Sequence, residues 1–86
     1  MTYTLEPEVI ATDVEDGVVL LDQRTGRYFQ LNRSGATTLR LLLDGNSPDR
    51  AAETLAAGRP EAAGRARTDV RALLESLLKA KLVVRS

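Results

Sequence analysis

The sequence predicts an α+β fold, a three-stranded antiparallel sheet followed by three helices, and three observations predict it. β-prone runs separated by turn signals fill the first third of the chain. Helical apolar stripes take over after Asn32. Asn32 and Ser47 stand where the first two helices need N-caps.

Val9-Ile10-Ala11-Thr12 reads as the first strand, with Pro7 before it, a residue suited to a strand's start or edge. Asp16-Gly17 is a turn signal, and Val18-Val19-Leu20-Leu21 after it is an apolar run without alternation, as expected where both faces are partly covered. Gln23-Arg24-Thr25-Gly26 forms a four-residue hairpin connection, Gly26 supplying the positive φ, and Arg27-Tyr28-Phe29-Gln30-Leu31 returns. Pairing Asp22 with Arg27 sets Leu21 opposite Tyr28, Leu20 opposite Phe29 and Val18 opposite Leu31. Period-2 geometry then turns Val18, Leu20, Phe29 and Leu31 to the core, and Val19, Leu21 and Tyr28 to the other face.

Asn32 caps a first helix with the stripe Ala36, Leu39, Leu42 and Leu43, ending at Asp44-Gly45. Ser47 caps a second, with Pro48 at its first position, Ala51, Ala52 and Leu55 on its buried side, and Gly58-Arg59-Pro60 at its end. A third, longer helix starts between Glu61 and Thr68 and runs to about Ala80. Its stripe of Val70, Leu73, Leu74, Leu77 and Leu78 is wider than a paired helix needs, which leaves one edge for a partner. Lys79 and Lys81 place cations at the negative end of its dipole. Leu82-Val83-Val84 either packs back or adds a strand.

Composition narrows the function. A chain of 86 residues, 43% hydrophobic and 28% charged, fits one soluble globular domain spanning residues 1–86. A domain of this size buries roughly 60% of the surface its unfolded chain exposes, so its stability margin is thin. Cysteine and histidine are both absent, which removes disulfides, thiolate metal sites, the commonest metal ligand and the commonest general base. The carboxylates are scattered singly, so the residues speak against an enzyme, and no metal or cofactor is expected. The N-terminus lacks the basic and apolar regions of a signal peptide, and no apolar run approaches the roughly 20 residues that span a bilayer. Neither membrane nor export is indicated, and a cytoplasmic location follows by default. Net charge is zero, but residues 1–44 hold seven acids and four bases while residues 45–86 hold five acids and eight bases. That asymmetry suits either an acidic partner or plain solvated surface.

A three-stranded sheet with three helices, the last one long, has the look of a winged helix-turn-helix. A DNA-binding regulator is therefore one reading, with Arg59, Arg65, Arg67 and Arg71 near the third helix's start as phosphate contacts. Zero net charge and a leucine-rich third helix argue against nucleic acid as the partner, and a solvated face accounts for the arginines as well. Strand 27–31 lies at the sheet margin with no proline and one terminal charge, so it can accept an incoming strand unless a helix covers it. Tyr28 either shields Val19 and Leu21 or serves as a platform for a bound chain.

The strings Gly17-Val18-Val19-Leu20-Leu21-Asp22, Thr25-Gly26-Arg27-Tyr28-Phe29-Gln30-Leu31-Asn32 and Gly35-Ala36, continued by Leu42, Asp44-Gly45, Asp69-Val70, Leu73-Leu74, Leu77 and Leu82-Val83, resemble PqqD-like proteins. These are recognition elements for ribosomally synthesised, post-translationally modified peptides. The resemblance implies a winged-helix-like fold on which a precursor's leader peptide adds as a fourth strand along strand 27–31. The groove would then be built from Arg27, Tyr28, Phe29, Gln30 and Leu31 with Asp69, Val70, Leu73, Leu74 and Leu77. Free-standing versions of about this length resemble those of lasso-peptide clusters, whose partner is a separate leader peptidase and whose leaders offer a Tyr and a Pro. The same pattern is shared by chaperones that serve a radical-enzyme partner. The segment Gly58-Arg59-Pro60-Glu61-Ala62-Ala63-Gly64 matches the family loosely.

Overall fold

The structure, a computed structural model, describes residues 2–57 and 59–85. Among these, the order is β1 (Tyr3–Leu5), β2 (Val9–Val14), β3 (Gly17–Asp22), β4 (Arg27–Asn32), α1 (Arg33–Leu43), α2 (Pro48–Leu55), a 3-10 turn (Pro60–Ala62), α3 (Ala63–Lys79) and β5 (Val83–Arg85). The α+β class and the three-helix succession hold. Gly58, expected to help end the second helix, lies outside the described residues; α2 itself stops at Leu55.

β2, β3 and β4 form an antiparallel meander in that order. Its register is the one the hairpin loop dictates: Asp22 faces Arg27, Leu21 faces Tyr28, Leu20 faces Phe29 and Val18 faces Leu31. The four-residue loop turns at Gly26 with φ +73°, a conformation glycine adopts without cost. Gly17 has a different reason to lack a side chain. A Cβ there would lie 1.9 Å from the Leu31 carbonyl oxygen, so β3 and β4 can pair at this point only around glycine.

Asn32 caps α1 by accepting from the Gly35 amide at 2.8 Å, and Ser47 caps α2 by accepting from Arg50 N–H at 3.1 Å. Both α1 and α3 end in Schellman motifs. Gly45 N–H bonds the Leu42 carbonyl and Asn46 N–H the Leu41 carbonyl, while Lys81 and Leu82 bond Leu78 and Leu77 in the same pattern. At the second of these the left-handed position is Lys81, φ 59°, where glycine is usual.

The segment 3–5, not read as a strand from the sequence, pairs antiparallel with β5, Tyr3 opposite Arg85 and Leu5 opposite Val83. Of the two outcomes open to Leu82-Val83-Val84, the chain therefore adds a strand, and it packs back as well: Leu82 and Val83 are buried. One hydrophobic cluster joins the layers, with Leu20 from the meander, Leu42 from α1, Val70 from α3 and Leu82 ahead of β5 as its largest fully buried side chains. No described helix is long and apolar enough to cross a membrane.

Candidate functional site

β4 ends the order β2-β3-β4, so the outer side of its backbone has no strand partner among the described residues. A groove runs beside that edge, between β4 and α3. At the Asn32 end it widens to a cavity of about 520 Å³ lined by Gln30 and Leu31 on one side and Ala66, Asp69 and Leu73 on the other. At the hairpin end a depression of about 420 Å³ is lined by Arg27 and Phe29, facing Ser76, Lys79 and Ala80.

Helical geometry assigns the α3 wall. Asp69, Leu73, Ser76 and Ala80 recur at steps of four, three and four, which is one helix face. One residue further round, Val70, Leu74 and Leu77 form the neighbouring row and are only 1%, 6% and 3% exposed. These three, expected in the groove, are placed in the core instead, because each step of one residue turns the side chain by about 100°. Asp69 and Leu73 line the groove as read from the sequence. Ala66, Ser76, Lys79 and Ala80 were missed; extending the Asp69–Leu73 face by helical steps would have found all but Lys79.

On β4 the alternation is equally plain. Phe29 and Leu31 are half-buried and pack against the core. Arg27 shares their parity, and its guanidinium sits 5.6 Å from the centroid of the Phe29 ring, within cation–π range. Tyr28 points to the outer face of the sheet, in register with Leu21 and Ile10, and is 70% exposed.

Charge is unevenly spread along the groove. At the Asn32 end Arg65 lies 3.9 Å from Asp69 on the same helix face, so their charges offset. At the hairpin end the buried Asp22 carboxylate takes two side-chain hydrogen bonds from Arg24, at 3.0 and 3.2 Å, and Arg24 also donates to the Lys81 carbonyl at 2.7 Å. Hydrogen bonding from Arg24 holds the Asp22 carboxyl below its ordinary range, against the opposing effect of burial. The clamp fixes the hairpin loop to the end of α3 and uses up that acid. Arg27 and Lys79, by contrast, have no acidic partner among the described residues. Two of the four arginines proposed for phosphate contact are engaged: Arg65 with Asp69, and Arg71 with Asp49 at 3.0 Å. Among the described residues no three His, Cys, Asp or Glu side chains gather as a metal site.

An open sheet edge beside a groove that can take alternate side chains is the architecture of peptide recognition by strand addition. The family model described as coenzyme PQQ synthesis protein D (PqqD) matches residues 17–83, and this chain belongs to that family. Two solved structures are similar along the full length. A lasso peptide synthetase B1 complexed with the leader peptide is 34% identical with a TM-score of 0.88, over 99% of this chain and 100% of that one. TbiB1 in complex with the TbiA(beta) leader peptide is 27% identical with a TM-score of 0.82, over 100% of this chain and 98% of that one. No curated protein matches.

Proposed function

We propose that this chain binds the leader segment of a ribosomally synthesised precursor peptide and delivers it to a separate processing enzyme, a leader peptidase of the lasso-peptide kind. The observation that carries the reading is the open β4 edge lying over the β4–α3 groove, in a chain similar along its full length to two leader-bound structures. The leader adds as a fourth strand, its backbone bonding β4 and its alternate side chains entering the groove beside Leu31, Leu73 and Ser76. Tyr28 meets the strand's outer face. Residues 1–86 act as one binding domain in the cytoplasm, without metal or cofactor. The domain performs no chemistry itself: the sequence has neither histidine nor cysteine. Its contribution is effective concentration, which turns the peptidase's encounter with the leader into a nearly intramolecular event.

A fluorescently labelled leader, taken from any small precursor with a Tyr-and-Pro leader found among the neighbouring genes, tests the reading. Saturable binding that survives moderate salt is expected, since apolar burial and backbone hydrogen bonds are weakly screened. Duplex DNA should bind weakly and lose that binding steeply as salt rises. Sequence-specific DNA binding with no leader binding would replace this reading with the regulator.

A further inference from the structure

The groove is not electrically uniform, and the difference between its ends selects a side chain. At the Asn32 end the lining mixes apolar Leu31, Ala66 and Leu73 with uncharged polar side chains, and its two charges, Arg65 and Asp69, offset each other. At the hairpin end Asp22 is the one acid in the lining among the described residues, and Arg24 already occupies it through both carboxylate oxygens. What remains facing the depression is Arg27 from β4 and Lys79 from the last turn of α3. Both are exposed basic side chains, and neither has an acidic partner among the described residues. The contact of Arg27 with the Phe29 ring holds its guanidinium along the groove side of β4. The negative end of the α3 dipole offsets at most about half a charge, so the depression stays cationic.

Resting on the proposed strand addition, we infer that Arg27 and Lys79 form a subsite for an acidic side chain of the bound peptide, an Asp or Glu on the strand's groove side. Period 2 makes this a spacing rule. Arg27, Phe29 and Leu31 share one face of β4, and Leu31 lies four residues from Arg27, about 13 Å along a strand. A groove-side residue opposite Arg27 therefore stands about four residues from the one seated between Leu31 and Leu73. The recognised segment carries an acid at one end and an apolar anchor at the other. The charge pair fixes register, which backbone bonding alone leaves free to slip by two residues. Cross-strand opposite charges and a second cation from the helix wall supply the selectivity.

Display selection from a random-sequence peptide library tests this whatever the sequence of the natural precursor. The wild-type chain should enrich peptides with Asp or Glu at a fixed spacing of about four from an apolar anchor. The double variant Arg27→Glu/Lys79→Glu should enrich Lys or Arg at the same position. It should bind the wild-type winners roughly fivefold to tenfold more weakly, the range expected for solvent-accessible ion pairs. Both side chains are exposed, so folding should persist by circular dichroism. Arg27→Gln/Lys79→Gln, which should simply lose the acid preference, replaces the swap if that variant unfolds. Enrichment of apolar-anchored peptides with no acid position, or with one unchanged by both variants, would overturn the subsite and leave strand addition standing. No enrichment by the folded wild type would overturn both.

Discussion

Two rows of side chains lie side by side on α3 and have opposite roles. Val70, Leu74 and Leu77 are buried in the common core, whereas Asp69, Leu73, Ser76 and Ala80 look into the groove. The rows are one residue apart and both contain leucine, so residue type does not separate core from groove wall. Position around the helix does. A small domain has few helices to spare, and here the same one closes the core and forms half of the proposed site.

The comparison breaks most visibly at Leu77. Leu77→Asp places an unpaired charge among core side chains, and the domain should fail to fold, read as a lost thermal transition and collapsed circular dichroism. Leu73→Asp, half-buried on the groove wall, should melt as a folded domain while leader binding and peptidase stimulation disappear. If the two variants unfold alike, the two-row division is wrong. A smaller contrast sits on β4. Phe29→Ala should destabilise by roughly 2 kcal/mol, below the 3–5 kcal/mol of a fully buried ring, because Phe29 is only half-buried. Tyr28→Ala, 70% exposed, should leave the melting temperature nearly unchanged and weaken the peptide complex. The smallest effect belongs to the Asp22–Arg24 clamp. The folded-state pKa of Asp22 is depressed, so its stabilisation is full above the unfolded value of about 3.9 and fades as pH falls through the lower folded value. Asp22→Asn should flatten the acid limb of a stability-versus-pH curve and change little at pH 7 beyond a constant offset.

Much of this arrangement was legible in the sequence. The hairpin register followed from one assumption, Asp22 opposite Arg27, because a four-residue loop leaves a single in-phase pairing and period 2 propagates it. Asn32 and Ser47 announced two helix starts through their side-chain oxygens. The β1–β5 pair was not legible: three-residue strands have too few positions to show alternation, and their partners lie at opposite ends of the sequence. The groove was half legible. Leu73 drew attention as an apolar residue, but so did Leu74 and Leu77, while Ser76 and Ala80 carry no chemical signal and are found only by following the helix face. The occupied state of Asp22 was hidden as well, since the sequence shows Arg24 two residues away without showing that it reaches the Lys81 carbonyl.

The pairing of β1 with β5 has a consequence for how this fold can be handled. Tyr3 and Arg85 are opposite each other on adjacent strands, roughly 5 Å apart. A polypeptide therefore enters and leaves the fold at nearly one point. The unit can be spliced as a cassette into a surface loop of another protein without prying that loop open, or closed into a ring by a short glycine-rich bridge and reopened elsewhere. The Gly45-Asn46 connection between α1 and α2 offers such a new opening at an exposed glycine, at the cost of the bonds that Asn46 makes to the Leu41 carbonyl. A permutant cut there keeps β4, α3 and the space between them uninterrupted, so it should retain whatever that space binds.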